Sequence, residues 1–166
     1  MNVINKIAPL LIIAMVGCKG KGNNQTVAEK QSEPNISKVS LTDLTGNTIN
    51  LEKYKGKTVF INFWAIWCRP CLEEMPSIEK AMKIVKGENI EFLFASTETI
   101  EQIEKFRANH AYLFNFVRVE NLEELNIMAL PVTFIFNPEG KLVFSEMGYR
   151  KWDDKENIDL ILNNTK

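Results

Sequence analysis

Two cysteines, Cys68 and Cys71, are separated by two residues in the stretch NFWAIWCRPC, directly after a run of large apolar residues. Thiols at this spacing can form a disulfide, but closing so short a loop gains little by chain entropy. The pair is therefore a poor structural crosslink. It suits redox cycling instead, because the start of a helix favours a thiolate and lowers its pKa. The spacing predicts a redox-active dithiol.

The two thiols are expected to have different roles. Cys68 is placed at the N-terminus of the predicted helix, so we expect it to be the nucleophile. Cys71 follows about one turn later and lies further into the helix, which suits a resolving thiol. Pro70 fits the first turn of that helix, where a missing N–H has no consequence.

Glu74 is the carboxylate that could take part in the chemistry. At about 100° per residue it lies about 60° from Cys71, at the edge of the apolar helix face, whereas Glu73 points to the opposite side. Beside a thiol and partly buried, Glu74 could have a raised pKa and exchange protons with Cys71. A solvated glutamate favoured by the helix dipole is the alternative, and geometry leaves both open. Arg69 favours a thiolate while both glutamates oppose it, so these charges do not set the redox direction.

A strand and a helix must position these residues. The β-branched and aromatic run 58–65 predicts a strand that is buried on both faces and leads to the cysteines. The segment CLEEMPSIEKAMKIVKGE has helical periodicity, with Pro76 expected to kink the helix and Gly87 to stop it. The positions expected to face inward are Cys71, Met75, Ile78, Met82 and Val85.

The remaining pattern predicts an α/β fold with a mixed central sheet, helices on both faces and an N-terminal β-hairpin. The hairpin is expected in 38–54 around Thr45-Gly46-Asn47. Strands are predicted at 90–96, 114–120, 132–136 and 141–148, and helical segments at 98–110, 121–128 and 153–164. In the second helix Ile100, Ile103 and Phe106 should face inward. Tyr149 and Trp152 are expected to be exposed, covering the sheet edge or lining a partner surface.

The N-terminus predicts export. In residues 1–17 the apolar run is shorter than the about 20 residues that a membrane span needs, and it is typical of a secretory signal. A buried helix is the alternative, disfavoured by the missing caps. The sequence MVGC resembles the lipobox of bacterial lipoproteins, with Met15 where leucine is usual. The resemblance implies that Cys18 carries a lipid, leaving one cysteine pair.

Residues 18–36 are polar and contain glycines, so we expect a flexible tether, followed by one folded domain at 37–166. The chain of 166 residues with 45% hydrophobic content is long enough for one such domain. With 20 basic and 21 acidic residues and no basic block, it lacks the charge pattern of a nucleic-acid binder.

The motifs NFWAIWCRPCLEEMP and LPVTFIFNPEGKLV, with Gly148 after them, resemble the thioredoxin superfamily and within it the TlpA/ResA-like membrane-anchored thiol-disulfide oxidoreductases. The resemblance implies a thioredoxin-like fold over roughly residues 38–166. It also implies a cis bond between Leu130 and Pro131, which would lie against the disulfide and leave the preceding backbone free to pair with substrate. Trp67 is expected beside that substrate site.

The same resemblance bears on proton transfer. Thioredoxins have a buried aspartate where this chain has Asn62, and TlpA/ResA-like relatives have a glutamate matching Glu74. The resemblance therefore favours a functional Glu74.

Together these features predict a lipid-anchored oxidoreductase of the cell envelope, facing the periplasm or the exterior, that needs no metal or organic cofactor. Its expected partners are protein thiols and disulfides, a membrane redox donor and the membrane itself, with the protein a monomer. Family analogy favours a reductant, for instance in cytochrome c maturation. The alternatives are a thiol peroxidase and a copper metallochaperone, the latter requiring a distant histidine ligand, for which His110 is the single candidate.

Overall fold

The computed structural model describes residues 35–165, which form a six-stranded sheet with three α-helices and two short 3-10 helices. The strands are β1 (Leu41–Thr42), β2 (Thr58–Phe63), β3 (Ile90–Ser96), β4 (Asn115–Val119), β5 (Val132–Phe136) and β6 (Leu142–Met147). The α-helices are α1 (Arg69–Ile84), α2 (Ile100–Asn109) and α3 (Lys155–Asn163). The 3-10 helices are Ile36–Lys38 and Leu51–Tyr54.

The sheet has the strand order β1-β4-β3-β2-β5-β6 and is mixed, as predicted. The neighbours β2, β3 and β4 run parallel, whereas β5, β6 and β1 pair with their neighbours in antiparallel fashion. Every residue of β2 is buried, because this strand lies inside the sheet and both of its faces are covered.

Side chains alternate along the strands between two hydrophobic clusters on opposite faces of the sheet. In β3, for example, Phe92 and Phe94 belong to the first cluster and Leu93 and Ala95 to the second. The first cluster contains buried residues of all three α-helices, and the second is completed by the two 3-10 helices. Helices thus cover both faces of the sheet, as expected. The three α-helices lie on one face, and the two 3-10 helices lie on the other. The reason is that both parallel connections step in the same direction, so right-handed crossovers place α1 and α2 on one face.

Helix α1 follows the predicted periodicity. Met75, Ile78 and Val85 are buried and Met82 is half-buried. Pro70 lies in the first turn, and Pro76 is accommodated inside the helix. In α2 Ile103 and Phe106 face the core while Ile100 is half-buried. A capping box between Thr99 and Gln102 begins this second helix.

The segment 121–128, predicted to be helical, forms turns instead. The Leu125 amide donates to the carbonyls of Asn121 and Leu122, which amounts to a single turn. Asn126 has a φ of 56°, in the left-handed region that a continuing right-handed helix cannot use. The helix prediction for this segment is therefore wrong.

The N-terminal hairpin is present in reduced form. It consists of one bridge between Thr42 and Thr48, while β1 itself pairs with β4. Its turn is held by Asp43, whose carboxylate accepts the backbone amides of Thr45 and Asn47, each at 2.9 Å. Hydrogen bonds from the Thr45 side chain and from the Asn47 backbone, in that order, lower the pKa of Asp43 to about 2.

Trp152 is buried, so the expectation that it is exposed is wrong. Its ring meets Phe60 edge-on with centroids 4.7 Å apart. Its backbone N–H donates to the Ser77 hydroxyl in α1 at 3.0 Å. The connection between β6 and α3 therefore folds back onto α1, and of the two aromatic residues there only Tyr149 is exposed.

The predicted signal of residues 1–17, the lipidated Cys18 and the tether up to residue 34 lie outside the described residues. Asn35 and Ile36, at the end of the predicted tether, contact the fold. Asn35 forms a bridge with Lys141, and the buried Ile36 donates its N–H to the Gly140 carbonyl at 2.9 Å. Within residues 35–165 no helix has the length and apolar character to span a membrane.

Candidate active site

Three strands bring the candidate residues to one edge of the sheet. Phe63, the last residue of β2, pairs with Val132 at the start of β5. Val132 also pairs with Met147 at the end of β6. Because both pairings are antiparallel, Pro131 and the end of β6 lie at the edge where β2 leads into the cysteine loop.

Cys68 and Cys71 form a disulfide, with their Cα atoms 5.3 Å apart. Cys68 is the N-cap of α1, and its Sγ accepts the Cys71 backbone N–H at 3.3 Å. Cys71 is fully enclosed, whereas Cys68 keeps 3% of its surface exposed. The redox pair thus lies at the helix N-terminus with Cys71 facing the core, as predicted.

The residues expected to meet substrate surround this edge. Trp67 is 76% exposed directly before Cys68. Leu130 is half-buried and Pro131 buried, and the peptide bond between them is cis, as the resemblance implied. Across the described part of the chain, no hydrogen bond to the Leu130 backbone is found. The backbone before Pro131 is therefore without an internal partner.

Glu74 is more deeply buried than the helical projection indicated, with no exposed surface. One carboxylate oxygen accepts the Asn62 side-chain amide at 2.7 Å, and the other accepts the Arg150 backbone N–H at 3.1 Å. Its own backbone carbonyl accepts the Ser77 hydroxyl at 2.7 Å. The carboxyl is thus enclosed between α1, β2 and the segment that follows β6.

Burial raises the pKa of the Glu74 carboxyl to about 7. The cause is desolvation, which disfavours the charged form, and the hydrogen bonds from the Asn62 side chain and the Arg150 backbone only partly oppose it. Between the two interpretations left open by the sequence, the structure favours the buried acid over the solvated glutamate. A carboxyl in this state can hold or release a proton near neutral pH.

Asn62 is the partner of Glu74 that sequence reasoning did not identify. Its side-chain amide also donates to the Thr133 hydroxyl at 3.2 Å, and its Oδ1 is buried without a hydrogen-bond partner among residues 35–165. A signal was present, because a polar side chain in a strand buried on both faces must find a partner. Thr133 is its paired residue in β5, whereas the Arg150 contact uses backbone and has no sequence signal.

The charges between and after the cysteines are paired at the surface. Arg69 Nε lies 2.8 Å from Glu73 Oε1, and both side chains are largely exposed. An exposed i,i+4 pair of this kind contributes little energy and is screened by salt. Arg69 and Glu73 therefore offset each other next to Cys68.

The His110 side chain contacts Phe106 at the end of α2. Its Nδ1 lies 2.8 Å from the Phe106 carbonyl, and its ring stacks on Phe106 with centroids 3.9 Å apart. His110 therefore packs at the end of the helix. Within residues 35–165 no group of three or more His, Cys, Asp or Glu side chains is arranged to hold a metal ion.

Comparison with known proteins agrees with this site. The model of the AhpC/TSA family matches residues 34–145. The thiol-disulfide oxidoreductase ResA of Bacillus subtilis is 32% identical over 123 residues, covering 72% of this chain and 67% of ResA. The thioredoxin-like protein YneN of the same organism is 31% identical over 164 residues, covering 93% of this chain and 96% of YneN. The solution structure of a thiol:disulfide interchange protein from Bacteroides sp. is 27% identical with a TM-score of 0.66, covering 81% of this chain and 90% of that one.

The fold and the disulfide at the start of α1 define a thioredoxin-like protein built for thiol-disulfide exchange. The chain belongs to the AhpC/TSA family of thioredoxin-like proteins, among relatives named ResA, and it is a thiol-disulfide oxidoreductase.

Proposed function

We propose that this protein is a membrane-anchored, extracytoplasmic oxidoreductase that reduces disulfides of protein substrates, with cytochrome c maturation as the process it serves. The observation that carries the proposal is the buried Glu74, whose pKa of about 7 places a proton acceptor and donor one helical turn after the resolving thiol. This arrangement suits repeated cycling of Cys68 and Cys71 between dithiol and disulfide.

In the proposed cycle the reduced protein starts with a Cys68 thiolate at the helix N-terminus. It attacks a substrate disulfide, so that a bond between Cys68 Sγ and one substrate sulfur forms, the substrate S–S bond breaks and the other substrate sulfur leaves as a thiolate, which is protonated by solvent. Cys71 then attacks Cys68 Sγ and releases the second substrate sulfur as a thiolate, which takes up a proton. Two electrons pass to the substrate, and the protein ends as the Cys68–Cys71 disulfide.

Glu74 acts in the second attack. Cys71 is fully enclosed, and a thiol in such surroundings is a weak acid that needs help to become a thiolate. Residues three apart on a helix are neighbours, about 5–6 Å between Cβ atoms, so Glu74 can receive the Cys71 proton directly or through one water. With its pKa near 7 the carboxyl can return that proton when a membrane donor reduces the disulfide again.

The substrate is expected to pair with the backbone before Pro131. The free backbone groups of Leu130 suit an extended polypeptide that adds a short strand, with main-chain hydrogen bonds supplying affinity. The exposed ring of Trp67 lies directly before the nucleophile and supplies apolar contact area. Both features favour a protein substrate over a small thiol.

Anchoring rests on Cys18 and has a separate test. The described chain enters the fold at Asn35, beside the turn that joins β5 and β6, and the disulfide lies at the other end of these strands. A tether attached there leaves the cysteine edge accessible to a monomer. We expect radioactive palmitate to label the full chain, and Cys18→Ala to abolish labelling and release the protein from membranes. An unlabelled wild-type chain would contradict the anchor.

The catalytic proposal is tested by insulin reduction with wild type, Cys68→Ser and Cys71→Ser. Both variants should lose dithiol turnover, and only Cys71→Ser should accumulate a mixed disulfide, because it keeps the nucleophile. Activity that survives either substitution would contradict the mechanism.

Three further measurements distinguish the redox direction and the two alternative functions. A reductant should have a potential near the about −270 mV of thioredoxin, whereas a value near the about −120 mV of DsbA would indicate an oxidant. Rapid oxidation by peroxide would favour a peroxidase. Stoichiometric Cu(I) binding that is lost in His110→Ala would favour a metallochaperone.

A further inference from the structure

The loop between β2 and α1, residues 64–68, is held by its backbone amides. The amides of Trp64 and Cys68 donate to backbone carbonyls, at 3.0 Å and 3.1 Å respectively. The amide of Ile66 donates to a side chain instead, to Glu98 Oε1 at 2.8 Å. Ile66 comes two residues before the nucleophile and one before the exposed Trp67. A side chain distant in sequence therefore fixes the centre of the active-site loop.

Glu98 is itself held in place. It is half-buried in the connection between β3 and α2, next to Ser96, the last residue of β3, which is 1% exposed. The Ser96 hydroxyl donates to the second carboxylate oxygen of Glu98, and the Glu98 backbone N–H donates to the same hydroxyl oxygen at 3.3 Å. The carboxylate thus bridges a rigid strand end and the loop.

We propose that Glu98 is a positioning residue for disulfide exchange, which holds the Ile66 amide and thereby fixes where the loop presents Trp67 and Cys68. The contact matters most in the reduced protein. Once the disulfide is open, Cys68 is no longer tied to Cys71, while the bond between Ile66 and Glu98 involves neither thiol. Attack on a substrate disulfide needs a fixed approach of the sulfur, so a loosened loop lowers the rate.

Two substitutions separate the hydrogen bond from the charge. Glu98→Gln keeps an oxygen that accepts the Ile66 amide but removes the carboxylate charge. Glu98→Ala removes both. The matched control is Glu101→Ala, because Glu101 is an exposed glutamate in the first turn of the adjacent α2.

The experiment uses the full chain and two measurements: hydrogen exchange of the Ile66 amide by NMR and the rate of insulin reduction. In Glu98→Ala the Ile66 amide should exchange at least about tenfold faster in the reduced protein, and kcat/KM should fall about tenfold, as expected for one lost hydrogen bond to a charged group. Glu98→Gln should stay within about threefold of wild type in both measurements. Glu101→Ala should match wild type.

Two results would overturn the proposal. One is a Glu98→Ala protein in which the exchange rate of the Ile66 amide or the rate of insulin reduction is the same as in wild type. The other is a Glu98→Gln protein as slow as Glu98→Ala, because that result assigns the effect to charge and not to the held amide. If Glu98→Ala fails to fold, Ser96→Ala decides, since it removes the donor that orients the carboxylate. It should speed Ile66 exchange and slow insulin reduction, and wild-type values for both would overturn the inference.

Discussion

Replacing Glu74 by glutamine should change how stability depends on pH. Burial raises the pKa of this carboxyl from 4.5 to about 7. Below pH 4.5 the group is protonated in both the folded and the unfolded protein. Between pH 4.5 and 7 the unfolded chain ionises while the folded one does not, so the free energy of unfolding falls as pH rises. Above pH 7 both forms are ionised and the loss is complete.

The size of this loss follows from the shift of the pKa from 4.5 to about 7, which corresponds to about 3 kcal/mol. Glutamine does not titrate, so the stability of Glu74→Gln relative to wild type should increase by about 3 kcal/mol between pH 4 and pH 8. The comparison cancels other titrating groups. Urea unfolding of the oxidised protein at unit pH steps measures it.

The neighbouring Glu73 supplies the control. It lies on the same helix and its side chain is exposed at 55%, so the corresponding difference for Glu73→Gln should vary by less than about 0.5 kcal/mol. A pH-independent difference between Glu74→Gln and wild type would refute the reasoning. So would a difference that decreases with pH, because it would show that the fold favours the charged carboxyl.

Three other outcomes are expected. Trp67→Ala should leave the free energy of unfolding within about 0.5 kcal/mol but weaken protein substrate binding, seen as a higher KM for insulin with unchanged reduction by dithiothreitol. Leu113→Ala is the control, because Leu113 is an even more exposed apolar residue, and it should change neither quantity. Asn62→Leu removes a hydrogen bond that lowers the pKa of Glu74, and we therefore expect the pKa of Glu74 to rise further. The carboxyl infrared band, followed against pH, measures this pKa, and an unchanged titration of the band would contradict the contact. Ser77→Ala removes the hydroxyl that pairs the buried Trp152 amide and should lower the free energy of unfolding by about 1–3 kcal/mol in urea titrations. A smaller effect would argue that water replaces the hydroxyl.

The elements that carry the site were predictable because their patterns are strong and local. The continuous apolar run of β2 and the periodicity of α1 predicted both elements, with Cys68 at the helix start and Cys71 facing inward. Strand β3 spans the predicted residues 90–96. In these segments local pattern and tertiary packing agree, which makes assignment from sequence dependable.

The failures occur where distant contacts decide. The segment 121–128 was predicted to be helical, but Asn126 adopts a left-handed conformation and the segment packs as turns against the second cluster. Trp152 was expected to be exposed, whereas its ring is buried and its amide donates to Ser77 on helix α1. A contact between residues this far apart leaves no periodic signal in either segment.

Burying the Glu74 carboxyl lowers the stability of the fold, and this explains why other polar groups surround it. A fully buried carboxyl in a strand-helix interface is unfavourable unless hydrogen-bond donors surround it. Asn62 supplies one donor, the Arg150 amide a second, and even so the pKa of Glu74 stays near 7. An aspartate at position 62 would put two carboxyls in this enclosure and force one to stay protonated. An asparagine there and a glutamate on the helix leave a single carboxyl in this enclosure, one helical turn after Cys71, which is the arrangement that the proposed proton transfer would use.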